Sequence, residues 1–499
     1  MPPTRRRYPR SLPRRLWVGL LVAGMMSFQW IAPARGAISL VRPFGRLVCG
    51  PRFGVAFCSG GLDHRVPSFD GVPLDADLTL PASGRPPYPL VVLLHGLGGN
   101  KLETESTTDD GAIDNVTFAS HGWAVLSYSA RGFGGSCGTP AARRTAPACA
   151  RGWSHLADQR YEVRDTQYLA GLLVDEGYVL PDIAVAGVSY GGAQALELAM
   201  LKNRVELPDG RFIAFRSPRR HVPMAVAAVY AAWPWDDYAN ALQPNGTGPE
   251  VGNQAELDRT PPGILKQAWA TILARAEASG YQPPPAVARR SALEEWQRSA
   301  SANHGSSPTL IRALEDLQRF HSAVGIPAPA GGPAPTVIQS GFTDSLFPVT
   351  EALRFADQAR RSGSRSPLLL IFDDVGHPWA QNKPADVAFN NATAIAFLDA
   401  VVRHRAPPTG VMVRAQSCPR SAPSGPTAWA RSWSALQRSS VTLSLDPPID
   451  HALRAARIRA KGLLTWENDG YSRQFPPDRG GTFSELIIAR DRADRGDRR

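Results

Sequence analysis

Three residue types set far apart in this 499-residue chain can together cleave an acyl bond: a serine, an aspartate and a histidine. Hydrolysis through serine needs a base to take the hydroxyl proton and a carboxylate to orient that base. The serine stands in Gly187-Val188-Ser189-Tyr190-Gly191-Gly192, between an apolar run at 183–186 and the run Ala193-Gln194-Ala195-Leu196-Glu197-Leu198-Ala199. A buried strand passing straight into a helix demands a turn so sharp that Ser189 takes a strained backbone, and its neighbours must lack colliding side chains. The hydroxyl then projects at the sheet edge, above a helix N-terminus whose free N–H groups receive developing negative charge. A competing reading makes this a glycine-rich turn whose serine only caps the helix. That reading leaves the remaining parts, which follow in the required order, without explanation.

After the serine come Asp344 and then His377. Asp344 lies in Gly341-Phe342-Thr343-Asp344-Ser345-Leu346-Phe347-Pro348, and His377 in Asp373-Asp374-Val375-Gly376-His377-Pro378. Each stands just beyond a predicted strand (336–340 and 368–372), hence on the same sheet edge as Ser189. Asp373, Asp374 and Asp237 are rival acids. Asp344 is preferred because it occupies the loop after the penultimate strand; its alternative role is to cap the next helix. Earlier, the apolar run 88–94 reads as a strand covered on both faces and ends in His95-Gly96-Leu97-Gly98-Gly99-Asn100-Lys101. Such a loop turns a backbone N–H, here that of Leu97, toward the serine; with the N–H of Tyr190 it would form an oxyanion hole. A phosphate-binding loop is rejected, because lysine there must be followed by serine or threonine and Lys101 is followed by Leu102. His95 reads as a residue holding this loop.

The elements positioning these groups alternate between strand and helix. Strands at 123–128, 183–188, 224–230, 336–340 and 368–372 and helices at 161–177, 193–199, 350–359 and 386–402 imply a mainly parallel sheet with right-handed crossovers. Ser68-Phe69-Asp70-Gly71-Val72-Pro73-Leu74 and the alternation that follows suggest an antiparallel strand pair. From about 242 to 329 helical segments (264–279, 286–299 and 309–324) interrupt the alternation and read as a cap inserted over the site, the alternative being a plain surface insertion. Trp233, Trp235 and Tyr190 are candidates to line a pocket there, or to serve as core packing.

Hydrophobic residues make up 43% and charged residues 20%, enough for a large core. The net charge of +11 is concentrated near the N-terminus and in the arginine-rich C-terminal tail. That distribution suits an export signal and a solvated tail better than a basic nucleic-acid-binding face. Residues 1–34 read as a signal peptide: arginines, an apolar stretch from Leu16 to Met26, then Ala32-Pro33-Ala34. An uncleaved anchor is the alternative; after cleavage no stable membrane span is expected. Arg14-Arg15 leaves the twin-arginine route open. Of five cysteines, the simplest pairing joins Cys49 with Cys58 and Cys137 with Cys149 in two local disulfides, leaving Cys418 over; five unpaired thiols are the alternative. Their spacing is not that of a metal site. No metal or organic cofactor is expected. The main domain is read as 35–403, with 411–499 a small segment ending in a disordered basic tail.

Taken together, Ser68-Phe69-Asp70-Gly71-Val72-Pro73-Leu74, Ala130-Arg131-Gly132-Phe133-Gly134-Gly135-Ser136, Gly187-Val188-Ser189-Tyr190-Gly191-Gly192, Gly341 to Pro348 and Gly376-His377 give a resemblance over residues 62–403. The chain resembles the Xaa-Pro dipeptidyl-peptidase and cocaine-esterase-like family of serine hydrolases. The resemblance implies an α/β class protein with the α/β-hydrolase fold, an inserted helical cap and a C-terminal jelly roll. Two features depart from the family: no tyrosine stands in the loop after His95, so a backbone oxyanion donor is read, and the residues after Gly410 are few for a jelly roll. The expectation is a secreted serine hydrolase with Ser189 as nucleophile, His377 as general base and acid, and Asp344 as its partner. Its substrate would be a small ester, amide or peptide. A carboxylesterase or lipase with the same triad, and an inactive surface-binding protein on this scaffold, are the alternatives.

Overall fold

The structure, a computed structural model, describes residues 42–105, 113–244, 266–283 and 308–436. Among the described residues, eleven strands form one sheet. They are β1 (Val48–Arg52), β2 (Val55–Ser59), β3 (Ala76–Leu80), β4 (Tyr88–Leu94), β5 (Ala124–Tyr128), β6 (Val179–Val188), β7 (Ala225–Ala232), β8 (Thr336–Gly341), β9 (Leu368–Asp373), β10 (Gly410–Arg414) and β11 (Thr427–Ala430). Their order across the sheet is β1-β2-β3-β5-β4-β6-β7-β8-β9-β10-β11. From β5 to β10 every neighbouring pair is parallel, while the strands flanking this block pair antiparallel. The mainly parallel sheet read from the alternation is therefore present, with antiparallel edges, and it carries the α/β-hydrolase fold that the resemblance implies.

The helices that matter here are α1 (Asn115–Ser120), α2 (Glu162–Asp175), α3 (Tyr190–Leu201), α4 (Gln267–Ala278), α5 (Pro308–Phe320), α6 (Val349–Arg361) and α7 (Pro384–Val402). One face of the sheet is covered by α1 and α7: Phe118, Ala394, Phe397 and Leu398 join Val91, Leu93, Val125, Ala184 and Ile371 in a single buried cluster. Alternation along β4 turns Leu90, Val92 and Leu94 to the other face, where α3 is buried along its whole length. A helix buried all round is mostly apolar, as the alanine- and leucine-rich run after Ser189 is; Gln194 and Glu197 are buried within it, and burial pushes the Glu197 carboxyl up toward its neutral form.

The parallel strands end in register. Leu94 lies beside Gly187, Val188 beside Ala232, Ala232 beside Gln339, and Gly341 beside Asp373. The loops leaving β4, β6, β7, β8 and β9 thus open on one edge, where ligands bind in open α/β sheets. Above that edge, Trp269, Ala270 and Leu273 of α4 and Ala313, Leu314 and Leu317 of α5 pack into one apolar cluster with Tyr190, Trp235, Tyr238 and Phe347. These two helices fall within 242–329, the stretch read as a cap; its segment 286–299 lies outside the described residues.

Both disulfides match the expectation. Cys49–Cys58 staples the β1–β2 hairpin at directly opposed residues, and Cys137–Cys149 closes the loop between β5 and α2. Cys418 is exposed and not in a disulfide. One boundary needs correction. The main domain does not stop at 403, because β10 continues the parallel sheet beside β9 and β11 pairs back onto β10. Sheet membership is decided by long-range pairing, which local composition does not report. The signal peptide at 1–34 and the tail from 437 onward, including the strand-like piece 441–445, lie outside the described residues.

The turn from β6 to α3 is packed closely against neighbouring backbone. A Cβ placed on Gly191 would overlap the Leu94 carbonyl group, and one on Gly192 would come within 2.6 Å of the Ala232 carbonyl oxygen. Backbone cannot move aside as a flexible side chain can. Gly191→Ala is therefore expected to lower unfolding free energy by about 2–3 kcal/mol, the usual cost of overpacking without escape. Urea unfolding of the two proteins measures this, and an unchanged midpoint would refute the packing account.

Candidate active site

Ser189 sits between β6 and α3 with φ 54° and ψ −112°, a backbone conformation costly for a residue with a side chain. Its own N–H donates to the Ala232 carbonyl at 2.8 Å, so the adjoining strand holds the strained turn in place. The side chain emerges at the open sheet edge. There Ser189 Oγ lies 2.9 Å from His377 Nε2. On the other side of the ring, His377 Nδ1 is 2.7 Å from Asp344 Oδ2. A carboxylate oxygen only accepts, which assigns the ring proton to Nδ1 and leaves Nε2 free to accept from the serine hydroxyl.

Asp344 is 2% exposed and fully engaged. Oδ2 also accepts the backbone N–H of His377 at 3.0 Å, and Oδ1 accepts the N–H groups of Leu346 and Phe347 at 2.9 and 3.0 Å. Burial by itself would raise this carboxyl's pKa. The charge and hydrogen bond of His377, with the amides of Phe347 and His377, outweigh burial and hold it below the ordinary carboxylate value. Gly376 makes the approach possible: at φ 138°, it lacks the Cβ that would overlap the Asp344 carboxylate.

The rival acids are occupied elsewhere. Asp237 caps the short helix Tyr238–Leu242 through Asn240 N–H at 3.0 Å. Asp373 accepts from Asn390 Nδ2 at 2.7 Å, and burial raises its pKa to about 7. Asp374 receives the Gln381 N–H at 3.1 Å. Only Asp344, among these four, is bonded to His377.

The loop after β4 is held from both sides. Gly96 N–H donates to Glu103 Oε2 at 2.9 Å, and the Gly96 carbonyl accepts from His95 Nδ1 at 2.7 Å. His95 Nε2 accepts the Ala130 N–H at 2.9 Å. With one nitrogen donating and the other accepting, the buried imidazole is neutral, and desolvation pushes its pKa down to about 4. The Gly96–Leu97 peptide is trans, so the Leu97 N–H points opposite to the carbonyl that His95 fixes. The Tyr190 N–H belongs to the first residue of α3, where the helix supplies no acceptor.

Aromatic rings enclose the imidazole. Trp233, Trp269 and Phe347 meet the His377 ring edge to face, with centroids 5.8, 6.0 and 5.2 Å away. Trp233 thus stands beside the site. Trp235, also named as a pocket residue, is 2% exposed. Its indole N–H donates to the His321 carbonyl at 2.7 Å and its ring packs on Tyr238 and Phe347, so it serves as core beneath the cap. The Tyr190 ring is likewise fully buried, between Phe133 and Trp235. Sequence reading did not single out Trp269 or the neighbouring Lys266. They precede or begin a helical insertion with no motif of its own, and only tertiary packing brings them to the histidine.

A second network stands behind the His95 contact. Arg131, fully buried, pairs with Asp165 at 2.6 Å and with Asp70 at 2.8 Å, and Ser68 donates to Asp165. This joins the 68–74 and 130–136 motifs to α2 and fixes the backbone beside Ala130. A buried pair of this kind costs about 3–5 kcal/mol to break from one side.

The depressed pKa of His95 has a consequence for stability. Between the unfolded value of 6.5 and about 4, the unfolded chain binds a proton that the folded chain does not. Folding stability from this residue is therefore complete above pH 6.5 and falls as pH drops toward 4, by about 3 kcal/mol in total. Glutamine offers a neutral donor and acceptor with no such titration. The stability difference between wild type and His95→Gln, from urea unfolding at pH 7 and pH 4, is expected to shift by that amount against the wild type. A pH-independent difference would contradict it.

A family model described as the alpha/beta hydrolase family matches residues 91–391. Among solved structures, a puromycin-hydrolyzing peptidase of Mycobacterium tuberculosis is 18% identical with a TM-score of 0.41, the match covering 68% of this chain and 39% of that one. A CocE/NonD family hydrolase from Staphylococcus aureus is 12% identical with a TM-score of 0.45, covering 76% and 56%. An acetyl xylan esterase from a Paenibacillus species is 16% identical with a TM-score of 0.39, covering 70% and 88%. This chain spans less than two thirds of the length of the first two. No curated protein matches it. The family match takes in more than half of the 499 residues, and the chain belongs to the alpha/beta hydrolase family.

Proposed function

We propose that this hydrolase cleaves esters or amides through a covalent acyl-serine, and that it acts outside the cytoplasm. The observation that carries the reading is the unbroken chain of two hydrogen bonds, Ser189 Oγ to His377 Nε2 at 2.9 Å and His377 Nδ1 to Asp344 Oδ2 at 2.7 Å. As Ser189 Oγ attacks the substrate carbonyl carbon, its proton passes to Nε2, and Asp344 stabilises the imidazolium that forms. The carbonyl oxygen becomes an oxyanion received by the N–H groups of Leu97 and Tyr190. Collapse breaks the bond to the leaving alcohol or amine, which takes the proton from Nε2. Water, deprotonated by His377, then attacks the acyl-enzyme, releases the acid and restores the serine. The chemistry needs no metal or organic cofactor.

The substrate reading rests on the aromatic wall of Trp233, Trp269 and Phe347 around His377. Such a wall suits a compact apolar acyl group, and a proline ring is one, so the Xaa-Pro dipeptidyl-peptidase type is the primary assignment. The same wall accepts short aliphatic acyl esters, which keeps a carboxylesterase as the second reading. An inactive binding scaffold is disfavoured because it has no use for a strained serine aligned with an imidazole.

The tests are direct. Ser189→Ala is expected to lower turnover by at least about 1,000-fold without loss of folding, and a fluorophosphonate should label Ser189 in the native protein but not in that variant. Activity surviving the substitution, or no labelling of active protein, would sink the reading. Parallel assays on Xaa-Pro amides and short acyl esters decide between its two forms, with turnover of the amides expected. Export is supported by the two disulfides. N-terminal sequencing of the mature protein is expected to start near residue 35, and an intact Met1 on protein outside the cell would refute cleavage.

A further inference from the structure

The cap reaches the catalytic acid through one buried side chain. Lys266 directly precedes α4 and is 5% exposed. Its backbone N–H donates to the Leu242 carbonyl at 2.9 Å. Its Nζ donates to the carbonyl oxygens of Ser345 and Leu346, at 2.8 and 3.1 Å. Those carbonyls belong to the same two peptide groups whose N–H ends, on Leu346 and Phe347, donate to Asp344 Oδ1 at 2.9 and 3.0 Å. Two parallel relays therefore run from Nζ through a peptide group to one carboxylate oxygen. A cation at the carbonyl end of a peptide polarises it and makes its N–H the better donor. Trp269, the third residue of α4, adds a further tie: its indole N–H donates to Ser345 Oγ at 3.1 Å, while its ring lies against His377.

We propose that Lys266, assisted by Trp269, is a positioning residue for the reaction, holding the Asp344 carboxylate at the angle His377 requires. The inference rests on the triad reading above. It makes the cap more than a cover. Oδ2 serves the histidine, and Oδ1 is fixed by amides that the cap itself orients, so a cap lifted from the 345–346 loop leaves the acid with slackened donors. The far end of α4 lies over the loop after β4, where a Cβ on Gly98 would stand 3.2 Å from the Ala276 carbonyl. One rigid helix thus touches both the acid side and the oxyanion side of the site. Substrate seated beneath α4 and a correctly held Asp344 require the same cap position.

The experiment is Lys266→Met, which keeps the stem and deletes the donor, measured beside Lys266→Arg, Ser189→Ala and the wild type. Misplaced catalytic groups cost turnover steeply. Lys266→Met is expected to lower kcat about 10-fold while KM changes less than about 2-fold, with Lys266→Arg recovering part of the loss. The low-field NMR signal of the His377 Nδ1 proton should broaden or vanish in Lys266→Met at unchanged thermal stability of the core. Wild-type kcat with an unaltered signal overturns the proposal, as does a change confined to KM. If Lys266→Met does not fold, Trp269→Phe takes its place, removing the indole N–H while keeping a smaller aromatic ring against His377. It is expected to lower kcat about 3-fold with the same broadening, and an unchanged kcat and signal overturn the proposal. Ser189→Ala separates the two levels. Activity surviving there sinks the triad itself, whereas an inactive Ser189→Ala beside a fully active Lys266→Met removes only the role of the cap.

Discussion

Every other feature of the site depends on the close approach of backbone to backbone at the turn from β6 into α3. Three glycines, 187, 191 and 192, let that turn lie against the carbonyls of its own helix and of the neighbouring strand ends. The contact with Leu94 aligns the loop after β4, and the contact with Ala232 aligns the end of β7. Ser189 bears the cost as a positive φ. The strain persists because β4 and β7, ending in register on either side of β6, hold the turn between them.

Around this fixed point, the site is built from backbone donors and neutral rings, with few mobile charges. His95 is held neutral by burial and bridges two loops as a donor and an acceptor. Asp344 takes all its bonds from the imidazole and from main-chain amides. Backbone groups cannot swing, so the site is organised before any substrate arrives, and preorganisation of this kind supplies much of the rate enhancement in acyl transfer. The charged pairs, Arg131 with Asp165 and Asp70, stand one layer further out. There they lock loops together without placing a competing cation beside the histidine.

The helical insertion follows the same logic. Its apolar side buries Trp269, Ala270, Leu273 and Leu317 against Tyr190, Trp235 and Phe347, which seats it on the sheet edge by area. Its polar contacts at Lys266 and Trp269 then define where along that edge it sits. Burial supplies the attraction and hydrogen bonds supply the register, a division of labour that holds throughout the fold.

The amino-acid sequence by itself determined what depends on local chemistry and short spacing. The glycines around Ser189, the apolar runs that must be strands or buried helix, the glycine before His377 and the nearby cysteine pairs all express constraints acting within a few residues. Motifs at strand ends also made Asp344 preferable to Asp373 and Asp374. Other assignments depended on distance through space. That Trp235 is core while Trp233 stands beside the imidazole follows from which side of the turn each ring takes, and two tryptophans separated by a single proline carry no local mark of it. Residues 410–430 joining the sheet, Arg131 tying two motifs to α2, and Lys266 holding the peptides behind Asp344 all join segments from 13 to 80 residues apart. Only the folded chain decides such contacts, because a side chain's partner is fixed by packing, and packing is a property of all the elements at once.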